Sequence, residues 1–265
     1  MPCIAVLPNL SYTLQMNVDD LVRTLPAAPS DYSWAWSMEL SPSKPLNVRV
    51  IAALTAVAYE PPNEDEIILW FGAPSAGSWS DLLVGLSTDE AARASKFRLE
   101  ADRWSYAAAH AALRSLLGSM LACAPLLLRF VVDSNGKPLL NFDGLDPAIQ
   151  FSVSHARGCV AIALARRRVG VDVEQRRELK SLMAIARSAF ATEAYETLAD
   201  FSEAARRNAL FYRYWTLGEA FIKATGKGFA QDPKTFCFNS QGRPTLTRVS
   251  ADWGPVSRWR FDCAA

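Results

Sequence analysis

Two stretches of the chain carry acidic side chains at spacings that could bind a cation. Asp172 and Glu174 are two residues apart in an apolar segment, so in a strand both side chains face the same side. Glu219 and Lys223 are four residues apart in an aromatic-rich segment, so on a helix they share one face. Three carboxylates suit Mg²⁺, which also retains waters and the phosphate oxygens of a substrate. The pattern indicates a metal-assisted reaction on a phosphorylated small molecule, with Lys223 beside the metal as a stabilising charge or a proton acceptor.

Each pair also has a purely structural interpretation. Glu219 and Lys223 could form an ordinary i,i+4 ion pair, which contributes only a few tenths of a kcal/mol. Asp172 and Glu174 could lie at a solvated strand end, because two arginines follow at Arg176 and Arg177 and could neutralise them. The choice between these interpretations depends on residues further upstream.

The upstream candidates are basic, hydroxyl or small residues at the ends of predicted elements. Such side chains can donate hydrogen bonds to phosphate groups, and arginine is well shaped for that purpose. Any one of them alone is more often an ordinary surface residue, but together they favour a site for a multiply phosphorylated ligand. They are Arg93, Lys96, Gly136, Lys137, Pro138, Ser154 and His155. The other histidine, His110, is predicted to be a satisfied core residue.

The elements that must position these residues indicate an α+β fold. A capping box at Ser87 and Glu90 opens a helix, and Asp102 to about Ala122 is predicted to be a core helix. Two apolar strands flank the basic turn Arg166–Arg168 and are predicted to form an antiparallel hairpin. Strand–helix–helix–strand recurs loosely in both halves of the chain. The predicted organisation is an N-terminal extension of unknown role at 1–62, an α+β half at 63–153, and a second α+β half at 154–265 that carries the metal and catalytic motifs.

The composition indicates a globular protein without a bulk electrostatic preference. The chain has 265 residues, half of them hydrophobic, with 28 basic and 27 acidic side chains, which fits one large or two small domains. A net charge of +1 disfavours nucleic-acid and membrane-surface binding, and no apolar run approaches the roughly 18 residues of a membrane span. Five scattered cysteines and two histidines disfavour a zinc site or a disulfide framework. Because the N-terminus also lacks a secretory signal, we expect a cytoplasmic protein.

The motifs together resemble the signature of the 4′-phosphopantetheinyl transferases of the larger, Sfp type. GVDVE at 170–174 matches the family's G-[IV]-D-[IV]-E strand, and WTLGEAFIKATGKG at 215–228 is similar to its W-[ST]-x-K-E-[AS]-x-x-K helix with a glycine-rich end. FSVSHARG at 151–158 resembles the family's F-N-[IV]-S-H-[ST] strand end, and GKP at 136–138 recurs there too. Four ordered motifs at suitable spacing make a specific match over most of the chain.

The resemblance implies two α+β halves related by a pseudo-twofold axis, with the active site in the cleft between them. It implies a Mg²⁺-dependent enzyme, with Mn²⁺ as an alternative metal, that uses coenzyme A as substrate. The phosphopantetheine arm would move to a serine of an apo acyl or peptidyl carrier protein, giving the holo carrier and adenosine 3′,5′-bisphosphate. A monomer that binds neither nucleic acid nor membrane is expected.

The resemblance also assigns roles to particular residues. Asp172, Glu174 and Glu219 would hold the metal, and Lys223 or Glu219 would accept the proton of the carrier serine. Coenzyme A would be bound through its phosphates by the remaining candidates. Those are Ser154, His155, Lys137 within Gly136–Pro138, and Arg93 beside Lys96, with Arg93 reaching the 3′-phosphate.

Two positions depart from the family's pattern. Gly218 stands where lysine is usual, which removes a positive charge near the phosphates and lowers helix propensity by about 1 kcal/mol. Ser152 stands where asparagine is usual. These departures leave open a catalytically weak module that binds coenzyme A or carrier proteins. A metal-dependent nuclease also uses carboxylates beside a lysine, although the balanced charge disfavours the basic track that a nuclease needs.

Overall fold

Strands and helices are mixed along the whole described part of the chain. The computed structural model describes residues 32–39, 47–51, 54, 58–72, 79–141, 149–239 and 242–264. The first part contains strands β1 (Tyr32–Glu39), β2 (Asn47–Ile51) and β3 (Glu66–Gly72), then helices α1 (Trp79–Val84), α2 (Thr88–Ala94) and α3 (Glu100–Met120). The middle contains strands β4 (Arg129–Val132), β5 (Pro138–Asn141), β6 (Gln150–Ala156), β7 (Cys159–Ala165) and β8 (Val169–Gln175). The last part contains helices α4 (Leu182–Ala189), α5 (Thr192–Asp200) and α6 (Ala204–Thr225), then strands β9 (Cys237–Asn239), β10 (Thr245–Arg248) and β11 (Trp259–Ala264).

Two sheets, each covered by one long helix, make up the two halves. The N-terminal sheet has the strand order β2-β3-β7-β6 and the C-terminal sheet has the order β11-β1-β8. Helix α3 packs on the first sheet and helix α6 on the second, each with its own apolar cluster. A third cluster lies between the sheets and contains Trp34, Trp36, Leu69 and Val171. The prediction of an α+β fold with two similar halves is confirmed.

Strand β8 separates its two faces by simple alternation. Its first three odd-numbered residues, Val169, Val171 and Val173, are buried in the cluster between the sheets. The even-numbered residues therefore face α6, because successive side chains of a strand point to opposite sides. The pattern places Asp172 and Glu174 against the helix that carries Glu219 and Lys223.

The prediction that β7 and β8 form an antiparallel hairpin is wrong. Strand β7 pairs with β3 and β6, whereas β8 pairs antiparallel with β1, so the two strands belong to different sheets. All seven residues of β7 are buried, as expected for a central strand covered on both faces. The connection at Arg166–Arg168 carries the chain from one sheet to the other, and the valine face of β8 packs on β7 through side chains.

Residues 1–62, which the sequence treats as an N-terminal extension, contribute two of the strands. Strand β1 lies between β8 and β11 and pairs antiparallel with both, and β2 pairs in parallel with β3. Residues 1–31 lie outside the described residues. Within the described residues, no helix is long and apolar enough to cross a membrane.

The close approach of α6 to β8 depends on a glycine. A Cβ atom built on Gly170 would lie 1.9 Å from the carbonyl oxygen of Ala220 and 2.6 Å from the amide nitrogen of Ala224. The same helix is held from β1, where Ser37 Oγ donates a hydrogen bond of 3.0 Å to the Ala220 carbonyl. The end of the helix follows the sequence prediction, because Gly226 adopts the left-handed conformation with φ 76°.

Candidate active site

A cleft of about 670 Å³ opens between the two halves. Helices α2 and α3, the β4–β5 hairpin and β6 line one side, and α4, α5, α6 and β9 line the other. Its size lies in the range of ordinary ligand sites. Among the residues expected at the site, those that line it are Arg93, Gly136, Lys137, Pro138, His155, Glu219 and Lys223.

Asp172 is the centre of the polar contacts beside this cleft. Its Oδ1 atom accepts hydrogen bonds from Lys223 Nζ at 2.7 Å and from Ser154 Oγ at 2.9 Å. Its Oδ2 atom is buried and has no hydrogen-bond partner within the described residues. A buried acceptor without a donor is unfavourable. A cation or a hydrogen-bond donor at Oδ2 would therefore stabilise this carboxylate.

The two neighbouring carboxylates, Glu174 and Glu219, also lie in surroundings that disfavour a negative charge. Burial, followed by the charge of Asp172, raises the pKa of Glu174 to about 7, against the lowering effect of a hydrogen bond from Trp215. Burial and then Asp172 also raise the pKa of Glu219. Glu174 and Glu219, whose ionised forms are disfavoured, form together with Asp172 a set of oxygen donors that a hard divalent cation would stabilise.

The carboxylates are close but are not arranged as a ready set of ligands. No group of three or more histidine, cysteine, aspartate or glutamate side chains could hold a metal ion within the part of the chain that the structure describes. The Lys223 ammonium lies against Asp172 instead. The chemistry of the oxygen donors and the unpartnered Asp172 Oδ2 nevertheless fit a hard cation.

Ser154 lies at the core side of this cluster and not on the cleft wall. Its hydroxyl donates to Asp172 and accepts a hydrogen bond of 3.3 Å from the Val173 amide. The equivalent hydroxyl of Ser152 accepts from the Val171 amide at 3.0 Å. The two serines of β6 therefore hold β8 through side chains, at a place where no strand ladder among the described residues joins the two sheets.

An aromatic and cationic group forms the N-terminal side of the cleft. The rings of Tyr106 and His110 are 4.2 Å apart, the Arg93 guanidinium lies 5.8 Å from the Tyr106 ring, and the His155 ring lies edge-on at 6.1 Å. Burial and the nearby Lys223 cation lower the pKa of His155 to about 4, so its ring is neutral at pH 7. Lys96 is exposed and lies outside the cleft lining.

Sequence reasoning missed Tyr106 and assigned His110 to the core. Both residues line the cleft, and His110 Nδ1 lies 3.2 Å from Glu90 Oε1. The available signal was their spacing, because residues four apart on a helix share a face. The apolar content of this helix instead predicted a core helix, with His110 as a satisfied core residue.

Comparison with known proteins identifies the family. The sequence model of the 4′-phosphopantetheinyl transferase superfamily matches residues 168–263, and the model described as 4′-phosphopantetheinyl transferase, N-terminal, matches residues 70–167. The two regions meet in the connection between β7 and β8.

Individual relatives agree with the family models. The chain is 34% identical over 180 residues to the 4′-phosphopantetheinyl transferase HetI of Nostoc sp., covering 65% of this chain and 75% of that protein. It is 30% identical over 164 residues to the 4′-phosphopantetheinyl transferase psf-1 of Bacillus pumilus, covering 61% and 67%. A mouse L-aminoadipate-semialdehyde dehydrogenase-phosphopantetheinyl transferase is 29% identical over 164 residues, covering 58% and 53%.

The chain therefore belongs to the 4′-phosphopantetheinyl transferase superfamily, and has both the N-terminal and the C-terminal domains of its larger members. It is a 4′-phosphopantetheinyl transferase, an enzyme that transfers the 4′-phosphopantetheinyl group to carrier proteins.

Gly218 gives a test of the helix that carries two of the site residues. Among the described residues, a Cβ atom at this position would meet only the Phe236 ring, at the ordinary contact distance of 3.5 Å. We expect Gly218→Ala to raise the free energy of unfolding by about 0.5–1 kcal/mol, because alanine loses less backbone entropy in a helix. Urea denaturation followed by circular dichroism measures the change. A lower midpoint at unchanged slope would show that the Phe236 ring cannot accommodate the methyl group.

Proposed function

We propose that this enzyme transfers the phosphopantetheine arm of coenzyme A to a serine of an apo acyl or peptidyl carrier protein with the help of Mg²⁺. Mn²⁺ is the alternative metal, and the products are the holo carrier and adenosine 3′,5′-bisphosphate. One observation carries the proposal. Asp172, Glu174 and Glu219 converge on Lys223 beside a cleft between two halves, with Asp172 Oδ2 buried and without a partner in the described residues.

The three carboxylates would hold the cation. When bound, it would neutralise charge on the pyrophosphate of coenzyme A, where phosphoryl transfer depends mainly on positioning and charge. The protein's own residues would position the serine of the carrier protein and accept its proton. Lys223 is the candidate base for the carrier serine, and Glu219, one helical turn away, is the other. The raised pKa of Glu219, caused by burial and by Asp172, supports its role as a proton acceptor.

The contacts narrow the set of residues proposed for the phosphates. Ser154 and Lys137 already use their polar hydrogens on protein acceptors. We therefore assign phosphate contacts first to Arg93 and His155, which line the cleft on its N-terminal side. A neutral His155 can donate one hydrogen bond without adding charge, whereas Arg93 brings the charge that a 3′-phosphate requires.

A mass measurement of the carrier tests the proposal. An apo acyl carrier protein incubated with this enzyme, coenzyme A and Mg²⁺ should gain the mass of one phosphopantetheinyl group, and EDTA should prevent the gain. Asp172→Asn should lower the rate by about 100-fold, because the amide removes the charge that faces the cation and Lys223. Calorimetric titration with Mg²⁺ in the presence of coenzyme A reports the metal site independently of turnover.

Asp252→Asn is the matched control for this substitution. Asp252 is exposed and forms its ion pair with Lys227, so the same chemical change there should leave the rate within about twofold. Unchanged transfer and unchanged Mg²⁺ binding in Asp172→Asn would contradict the proposed metal site.

A further inference from the structure

Lys137 contacts protein carbonyl groups where a phosphate ligand was expected. Its Nζ atom donates a hydrogen bond of 2.8 Å to the carbonyl oxygen of Lys223 and lies 3.4 Å from that of Ala224 and 3.5 Å from that of Val169. An ammonium group has three donor hydrogens and no acceptor. Three carbonyl oxygens therefore account for every hydrogen that this side chain can donate.

The contacted carbonyls belong to a position where a cation is favourable. Lys223 and Ala224 lie in the last turn of α6, and the last four carbonyls of a helix have no partner within the helix. They also carry the partial negative charge of the helix dipole, which a lysine stabilises. Lys137 thus caps the helix that carries Glu219 and Lys223.

The turn that presents Lys137 is itself fixed. Asp133 Oδ1 accepts hydrogen bonds from the amides of Asn135 at 2.8 Å and Lys137 at 2.9 Å, and the Asp133 amide donates to the Lys137 carbonyl at 2.9 Å. On the opposite side, a Cβ atom on Gly226 would lie 3.1 Å from Lys137 Cδ. The lysine stem therefore packs on the glycine that ends the helix.

A second cation caps the same helix end, and it comes from the C-terminal half, which also contains α6. Arg168, in the connection between β7 and β8, donates to the carbonyl oxygen of Thr225 at 3.0 Å. Lys137 differs because it comes from the β4–β5 hairpin, on the opposite side of the cleft. It joins the N-terminal half to the backbone of Lys223, whose side chain contacts Asp172.

We propose that Lys137 is a positioning residue that clamps the last turn of α6 to the N-terminal half, and not a ligand of a coenzyme A phosphate. The clamp fixes the backbone of Lys223 and with it the placement of the Lys223 ammonium group on Asp172. The inference rests on the proposed function, because it assigns Lys137 its role through the residues named there. Small displacements of a catalytic group have large kinetic effects.

Lys137→Met separates the two roles. Methionine retains an unbranched apolar stem against Gly226 but has no donor for the carbonyls. We expect kcat to fall by about tenfold, as for other residues that orient a reacting group, with the dissociation constants of coenzyme A and adenosine 3′,5′-bisphosphate changed by less than about threefold. Lys137→Arg keeps the charge and donors and should recover part of kcat. A phosphate ligand would give the opposite pattern, with both dissociation constants raised about tenfold or more and kcat retained.

Arg168→Met is the matched control, because it removes the cap that the C-terminal half supplies to its own helix. We expect a similar loss of stability in urea but kcat within about twofold of the original enzyme. Equal losses of kcat in both variants would mean general fraying of the helix and would overturn the clamp.

Amide hydrogen exchange in residues 222–226 reports the clamp without any turnover. Exchange should be faster in Lys137→Met than in the original protein, and unchanged exchange would overturn the proposal. An original enzyme without coenzyme A-dependent transfer would contradict the proposed function alone, since the exchange and binding measurements still decide whether Lys137 is a clamp.

Discussion

We expect Gly170→Ala to lower the free energy of unfolding by about 4 kcal/mol or more, an unusually large effect for one methyl group. The added carbon would lie 1.9 Å from the Ala220 carbonyl oxygen and 2.6 Å from the Ala224 amide nitrogen. Both are backbone atoms inside a helix, so no side-chain rotation relieves the overlap, and α6 must move away from β8. Overpacking at positions that relax through side chains costs about 1–3 kcal/mol, and here such relaxation is blocked.

The displacement should also abolish transfer in any protein that still folds. Strand β8 carries Asp172 and Glu174, whereas α6 carries Glu219 and Lys223, so a shift between the two elements separates the site into two parts. Urea denaturation and the carrier mass measurement follow the two effects. Gly218→Ala is the control, because it adds the same methyl group on α6 itself, where the described residues leave space for it. Equal stability in the two alanine variants would show that the approach of α6 to β8 is looser than the structure has it.

Glu90→Gln should destabilise the protein by about 3–5 kcal/mol at pH 7, because it leaves a buried arginine without its negative partner. Glu90 accepts from Arg114 Nε at 2.7 Å and from the Ser87 amide at 2.8 Å. Arg114 is 3% exposed and also donates to the carbonyls of Pro125 and Leu128. The carboxylate therefore joins α2, α3 and the segment that leads into β4, which together form the N-terminal wall of the cleft.

The effect of Glu90 should disappear in acid. Burial alone would raise the pKa of Glu90, but hydrogen bonds from His110, Arg114 and the Ser87 backbone lower it to about 2 from 4.5. Because the folded pKa is the lower one, the ionised carboxylate stabilises the fold above pH 4.5, and this contribution is lost as the pH falls from about 4.5 to about 2. The loss amounts to about 3 kcal/mol.

Urea denaturation of the original protein and of Glu90→Gln between pH 2 and pH 7 measures this linkage. The difference between their free energies of unfolding should shrink through the acid range. Glu64→Gln serves as the control, since the Glu64 side chain is 62% exposed at 3.8 Å from Arg167 and should contribute about 0.5 kcal/mol or less at every pH. A difference for Glu90→Gln that stays constant with pH would contradict the lowered pKa.

The local elements of the site could be predicted from the sequence because each depends on residues close together in the chain. The capping box at Ser87 and Glu90 and the left-handed Gly226 are observed as expected. The alternation along β8 and the four-residue spacing on α6 also indicated that Asp172 and Glu174 share one face of their strand and that Glu219 and Lys223 share one face of their helix. These patterns repeat over a few residues and need no knowledge of distant partners.

Partners that are distant in sequence could not be predicted in the same way. The hairpin of β7 and β8 was inferred from proximity, whereas β8 finds its partner in β1, more than a hundred residues earlier. The acceptors of Ser154 and Lys137 lie on other elements, and neither residue type reveals whether its donors will meet a carboxylate, a carbonyl or a phosphate. Glu90 was predicted as a capping residue of α2. Its buried ion-pair partner Arg114 lies on a different helix, α3, and could not be predicted from the local pattern.

Strand β1 also sets the order in which the chain can fold. Trp34 lies opposite Val173 on one side and Ala264 on the other, so the sheet beneath α6 cannot close until residue 264 has been synthesised. Pairings so distant in sequence are slow to form, because the entropy of closing the intervening chain opposes them. Until then one edge of β1 lacks its ladder partner, and an unpaired strand edge is open to association with other chains. A fragment that begins after β1 would retain every candidate catalytic residue and still lack the strand on which α6 and β8 are assembled.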